Sequence, residues 1–527
     1  IQLMRDGQPG TPSMVDFLGQ QLPAGARVGC DAQCISMQAA RRLEQQLKDA
    51  GLVFQAGRDL LDKIWLDRPG LPAQPLWQFP DELDGSSLPQ RLAQLRLHLQ
   101  RDGHDALLLS NLADIAWLLG FRGRDIECNP VALAYLLVAA EQPPELFICE
   151  AARNSAAFLV EQGVSLRDYA DIFARLADLP AGLVLQLDPT SCSLASVQAL
   201  PAQVKQQYAF SPTLLGRARK NPVQVAAIRQ AMAWDGVAML RFMRWYMQHP
   251  DLSQETEITA AQYLQGLRAS HPDYISDSFP AIAGFGANGA IVHYQAQAGA
   301  AARLGRDGVL LLDSGAHYRH GTTDITRVFC QGTPAEQLRR DYTLVLKGHI
   351  ALATVMFPQG TRGLQLDTVA RLPLWQQGLN YLHGTGHGVG FCLPVHEGPQ
   401  SISTRMVDQA LLSGMVCSNE PGLYRQGEYG LRLENLVLTI EVRVGRSPAL
   451  TGGAESGFLG FETLTVCPFD RNLIDRRLLS AAEVEWLDGY HRNCADVLRP
   501  LLADNADDLA FLTAVTAPLG DGEEDGA

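Results

Sequence analysis

Four carboxylates stand on runs of Leu, Ile and Val that read as buried strands, and they come in facing pairs. The run Gly308 to Gly315 reads as a strand ending in Asp313, and Thr322 to Phe329 as its partner carrying Asp324. A turn centred on Tyr318 and Arg319 places the two aspartates directly opposite, with Cβ atoms about 4.5–5.5 Å apart. The geometry recurs in a hairpin centred on Gly427, where Glu420 of Ser418 to Gly422 faces Glu434 of Gly430 to Asn435. Like charges so placed in an apolar sheet carry a heavy desolvation cost unless protonated or matched by cations. Bound divalent metal is the simplest resolution.

Either pair alone reads equally well as a solvated turn or an ion-paired hairpin. Both pairs together with His387, set in the glycine-rich run His383 to Gly390, point to a metal centre. The glycines permit unusual backbone angles and close approach. Four carboxylates and one imidazole make a hard, oxygen-rich set that suits Mn²⁺ better than a thiolate zinc site, and bridging carboxylates favour two metals roughly 3.5–4 Å apart. His317 and His320 fall in a polar turn and are expected at the surface.

Composition narrows the classes. A chain of 527 residues exceeds one ordinary core, and 46% hydrophobic with 19% charged residues describes a globular protein. A formal net charge of −14 argues against nucleic-acid partners and anionic membrane surfaces. The apolar run Val131 to Ala140 is about half the length that spans a bilayer. Ten scattered cysteines without a Cys-x-x-Cys pair fit a reducing, cytoplasmic setting. The chain opens at Ile1 with no readable targeting signal, so its natural start is expected upstream.

Along the chain, Arg27 to Asp31 followed by the periodic Met37 to Leu52 reads as an α/β pattern, which the proline-rich stretch Arg68 to Pro80 interrupts. A helix near Pro89 carries Leu92, Leu95, Leu97 and Leu99. Strands are expected at Ala106–Leu109, Ala132–Val138, Leu146–Ile148 and Leu183–Leu187, alternating with helices. Asn221 before Pro222 caps a long helix with Val225, Ile228, Met232, Met239 and Phe242 on its apolar face. A Ser480-x-x-Glu483 capping box opens a late helix carrying Leu487, Tyr490 and Cys494, and Pro518 to Ala527 reads as disordered.

The acidic and histidine motifs resemble those of the pita-bread metallopeptidases, which include methionine aminopeptidase, prolidase and aminopeptidase P. The likeness to cytosolic aminopeptidase P extends through Leu60 to Pro69, Ile115 to Gly123, Asn288 to Tyr294, His383 to Gly390, Val395 to Pro399 and Phe461 to Thr465. It implies an α+β architecture: two creatinase-like α/β domains, the first incomplete, then a pita-bread catalytic domain with a curved antiparallel sheet backed by helices. The divisions are 1–84, 85–212, 213–470 and a helical extension and tail, 471–527.

The same resemblance implies site roles. Asp313 would chelate one metal, Asp324 and Glu434 would bridge two, and His387 with Glu420 would complete the second position. His293, His383 and His396 resemble substrate and transition-state histidines, Arg432 resembles an arginine set beside metal carboxylates, and Glu420 is the general-base candidate. The implied reaction is attack by a metal-activated water on the bond between a first residue and a penultimate proline, with a homodimer by family analogy. Prolidase, which takes only the dipeptide, and a non-catalytic binding module on the same fold are the alternatives.

Overall fold

The computed structural model describes residue 4 and residues 10–57, 59–442 and 457–520. The stretch expected to be disordered lies outside the described residues from position 521 onward. The chain divides into two compact units, one formed by Ile1–Asp81, Ser86–Ile126 and Val131–Leu214, the other by Leu215–Ala527 with Glu82–Gly85 and Glu127–Pro130.

In the first unit the early α/β pattern becomes a two-stranded parallel sheet, Arg27–Asp31 with Val53–Gly57, and the helix Met37–Asp49 capped by Ser36. A mixed six-stranded sheet follows, in the spatial order Lys205–Tyr208, Val184–Leu187, Ala106–Leu109, Ala134–Ala139, Glu145–Ile148 and Ser165–Asp168. The helix Leu88–Asp102 ends at Gly103, whose φ of 70° supplies the left-handed cap. Leu92, Leu95 and Leu99 of that helix are buried, but Leu97 is exposed. It falls off the stripe that 3.6-residue periodicity assigns to the other three.

The second unit opens with the long helix Pro222–Gln248. The Asn221 side chain accepts from Gln224 N and donates to the Asp84 carbonyl at 2.7 Å. Ile228, Met232, Met239 and Phe242 are buried as the stripe predicts, while Val225 is half-buried. Asp235 of this helix is paired with Arg268 of the helix Glu257–Ala269 at 2.8 and 3.1 Å, both side chains buried. An antiparallel six-stranded sheet runs Phe357–Pro358, Phe458–Thr463, Asn435–Val442, Val416–Asn419, Gly386–Gly388 and Glu397–Ile402. A three-stranded sheet holds Ile282–Phe285, Leu310–Ser314 and Ile325–Phe329. The capping box at Ser480 forms as expected and starts the helix Ala481–Leu498, which buries Leu487, Tyr490 and Cys494. Among the described residues no helix is long and apolar enough to cross a membrane.

Two helical glycines separate close packing from intrinsic propensity. A Cβ at Gly236 would lie 2.2 Å from the Val466 carbonyl oxygen, whereas one at exposed Gly266 meets nothing within 4 Å. Gly236→Ala is therefore expected to destabilise by about 1–3 kcal/mol. Gly266→Ala, where alanine only restricts the unfolded chain and favours helix, is expected to stabilise by about 0.5–1 kcal/mol. Thermal and urea melts of the pair should move in opposite directions, and shifts of the same sign would contradict this packing.

Candidate metal centre

Both acidic hairpins share one design: a ladder that lapses beside or at the carboxylates and closes again in unchanged register. In the first, Leu310–Ser314 pairs with Ile325–Phe329, the ladder lapses at Gly315 and at Thr323–Asp324, and it resumes where Ala316–Tyr318 meets Gly321–Thr322. The turn is centred between Arg319 and His320, one residue beyond the expected centre. Asp313 therefore faces Thr326 rather than Asp324, which is its diagonal neighbour. A slip of two in pairing preserves the face, so both aspartates still point the same way. Gly315 is required at the break because a Cβ there would lie 2.0 Å from the Thr323 carbonyl oxygen.

In the second hairpin Val416–Asn419 pairs with Asn435–Val442 and Gly422–Arg425 with Tyr429–Arg432 in one continuous register about Gly427. Glu420 and Glu434 face each other in the gap between the two ladders, as the sequence predicts. Glu434 N donates to the Thr326 carbonyl at 3.1 Å and Glu420 N to that of Thr385 at 2.8 Å, so the freed backbone groups stitch the hairpins to each other and to the histidine segment.

The glycines around His387 act through contact rather than backbone angle, since none of those in His383 to Gly390 has positive φ. A Cβ at Gly386 would lie 2.0 Å from the Ser418 carbonyl oxygen, and one at Gly388 2.4 Å from that of Glu397. His387 Nδ1 faces the Gly388 carbonyl at 2.9 Å. That bond places the proton on Nδ1 and leaves the Nε2 lone pair directed at Asp324, 3.4 Å away, and Glu420, 3.6 Å away. Ligand atoms of Asp324, His387 and Glu434 all lie within 4.8 Å of one another.

Asp313 is joined to this group by charge. Its Oδ2 accepts from Arg432 at 2.5 Å, while its buried Oδ1 has no hydrogen-bond partner. Burial and the neighbouring carboxylates push Asp324 and Glu434 well above the usual carboxylate range. Burial also raises Asp313, against the opposing charge of Arg432. An orphaned carboxylate oxygen, carboxyls held high by like charges and an imidazole lone pair turned inward together fit a cationic occupant.

The outer residues are distributed less uniformly. His383 is engaged at both nitrogens, with the Gly384 carbonyl at 2.7 Å and the Tyr424 hydroxyl at 2.8 Å. Tyr424 in turn accepts from Arg432 at 2.7 Å. The Asp367–Arg371 pair holds this segment, Arg371 donating to the His383 carbonyl at 2.7 Å and Asp367 accepting from Thr385 at 2.6 Å. The His396 ring lies 4.3 Å from that of His387 and is near enough to His293 to feel its charge; both His396 and His293 are exposed. The loop carrying His293 is anchored by buried Glu257, which accepts from Phe285 N, Ala302 N, Asn288 and Tyr294 at 2.8–2.9 Å.

Sequence reading overlooked Ser418, Tyr424 and Thr326. Ser418 accepts from His387 N at 2.9 Å and donates to Glu420 at 3.1 Å, and Thr326 donates to Glu434 at 2.8 Å. The signal was the two-residue period itself, because Ser418 and Tyr424 share the strand face of Glu420. His317 is a correction: it is fully buried, with Thr322 Oγ1 at 3.0 Å and the Cys128 carbonyl at 2.8 Å, because strand pairing continues through His317 to Tyr318.

Three family models match the chain: the Creatinase/Prolidase N-terminal domain over residues 67–224, Metallopeptidase family M24 over 226–441, and the C-terminal region of peptidase_M24 over 457–519. A probable Xaa-Pro aminopeptidase P of Coprinopsis cinerea is 36% identical over 98% of this chain and 85% of its own length. The X-prolyl aminopeptidase of Caenorhabditis elegans, described as a cytosolic enzyme with a di-nuclear active site, superposes with a TM-score of 0.91 at 32% identity, covering 98% of this chain and 85% of that one. The prolidase of Thermococcus sibiricus shares the fold alone, with a TM-score of 0.58 at 23% identity over 73% of this chain. The chain thus belongs to metallopeptidase family M24, within its Xaa-Pro aminopeptidase P branch.

Proposed function

We propose that this chain is a metal-dependent aminopeptidase that hydrolyses the bond between a first residue and a penultimate proline. The observation that carries the chemistry is the charge imbalance of the site: four carboxylates, Asp313, Asp324, Glu420 and Glu434, against which the described residues set the guanidinium of Arg432. Two divalent cations would neutralise the remainder and leave charge for one anionic group. Similarity over 98% of the chain to the Xaa-Pro aminopeptidase P relative supports the substrate class.

Asp313, Asp324, His387, Glu420 and Glu434 would hold the two ions, and manganese fits this oxygen-rich set with one imidazole. When bound, the metals polarise the scissile carbonyl and lower the pKa of water. Glu420 is the base: its side chain is 18% exposed against 6% for Asp324, which sets it on the open side of the site, and Ser418 orients it. His293 and His396 stand at the exposed side, where they would flank the proline ring. His383 acts through the Tyr424 hydroxyl that it shares with Arg432. The reading extends to a cytoplasmic homodimer and to the divisions 1–84, 85–212, 213–470 and 471–527.

His387→Ala and Asp324→Asn should each abolish turnover and lower bound metal, read by elemental analysis beside activity, with circular dichroism checking the fold. Wild-type activity in both folded variants would sink these ligand assignments. For substrate, the metal-loaded enzyme should cleave Xaa-Pro-Yaa-Zaa in preference to Xaa-Pro, Xaa-Ala-Yaa-Zaa and an N-acetylated Xaa-Pro peptide. Preference for the dipeptide would indicate a prolidase instead, and no cleavage with metal bound would indicate a binding module.

The raised carboxyls set the sign of a pH effect. Asp324 and Glu434 bind protons more tightly folded than unfolded, so metal-free protein should lose stability as pH climbs from about 4 through their raised values. Metal competes with those protons, so the rise in melting temperature on adding manganese should be larger near pH 8 than near pH 5. A metal-induced rise that shrinks with pH would contradict the placement of these groups.

A further inference from the structure

Glu397 follows His396, and its carboxylate has no part in the steps above. Its side chain is fully buried against two cations. Arg217 donates at 2.6 Å, and Lys220 donates to Glu397 and to the carbonyls of Arg217 at 3.0 Å and Ala218 at 3.4 Å. The ammonium has three acceptors for its three protons. Such a cluster is a poor device for stability, since apolar side chains of equal volume often pack as well; what it supplies is direction.

Glu397 lies opposite Gly388 across the register shift that separates His387 from Gly388. Gly388 offers the carbonyl that takes the His387 Nδ1 proton. The cationic segment is itself tied down, with Lys220 N donating to the Gly414 carbonyl at 2.7 Å and Arg219 bridged to Met415 at the start of the strand leading to Glu420. We propose that Arg217, Glu397 and Lys220 are positioning residues that set the imidazole planes of His387 and His396. This rests on the reading of the site as a metallopeptidase centre.

The test compares metal-saturated wild type, Glu397→Gln, Lys220→Met and a reference variant, Asp235→Asn, on Xaa-Pro-Yaa-Zaa. Asp235 is equally buried with its own arginine but touches none of the site residues. Wild-type cleavage reports on the underlying reading, and failure there overturns that reading and this proposal together. With cleavage established, the cluster variants should melt cooperatively and lose about ten- to a hundredfold in kcat, as supports of metal ligands do, with KM little changed. Asp235→Asn should melt lower yet keep kcat within about twofold, since it removes stability without touching the site. The proposal is overturned if a folded cluster variant turns over like wild type, if Asp235→Asn loses as much kcat, or if neither cluster variant folds.

Discussion

Like charges crowded onto one dry sheet face dominate the second unit. Asp313, Asp324 and Glu434 are all buried, and beyond that burial Glu420 raises the cost of ionising all three, Asp313 that of Asp324 and Glu434, and Asp324 that of Glu434. Sheet ladders normally satisfy every backbone group, yet here the ladders lapse at Asp324, Glu420 and Glu434, and at Gly315, two residues beyond paired Asp313. The lapses cost little because the freed groups bond across hairpins, as Glu434 N does to Thr326. The breaks leave the register on either side unaltered, so the carboxylates keep a common face.

Charges elsewhere in this unit show the contrast. Glu257 accepts four hydrogen bonds, Asp367 is matched by Arg371, and Asp341 by Arg425 and Tyr429. Arg327 donates to the Glu434 and Cys467 carbonyls, Asn435 and Tyr490, joining the second hairpin to the helix Ala481–Leu498. Buried charge is thus tolerated wherever its partners are complete. Around Asp313, Asp324 and Glu434 they are incomplete, Asp313 Oδ1 having no hydrogen-bond partner, and the same incompleteness that burdens the metal-free fold suits the site to cations.

Much of this was legible because burial and periodicity act locally. Ala106–Leu109 and Arg27–Asp31 were readable to the residue as apolar or alternating runs between turn signals, and Asn221 with Pro222 marked its helix through capping chemistry. His317 was misplaced because its burial depends on how far a strand continues, a tertiary fact, whereas the exposure of Leu97 follows from the helical period itself. The bond from His383 to Tyr424 spans 41 residues, and no spacing rule announces it. Tyr424 itself was within reach, standing four residues from Glu420 on the same strand face.

The misplaced turn of the first hairpin explains why the site could be read despite the error. Moving the turn centre by one residue changes the pairing by two, and side chains alternate with period two. Asp313 acquired Thr326 as its partner instead of Asp324, yet all three remained on one face. A pairing error of one would have sent Asp324 to the opposite face and dispersed the cluster. Parity, rather than the identity of the facing residue, is what brings the carboxylates together. A residue added in the loop can leave every pair in place, whereas one added within a paired strand reverses the face beyond it unless a bulge absorbs it, as an irregularity already does between His387 and Gly388.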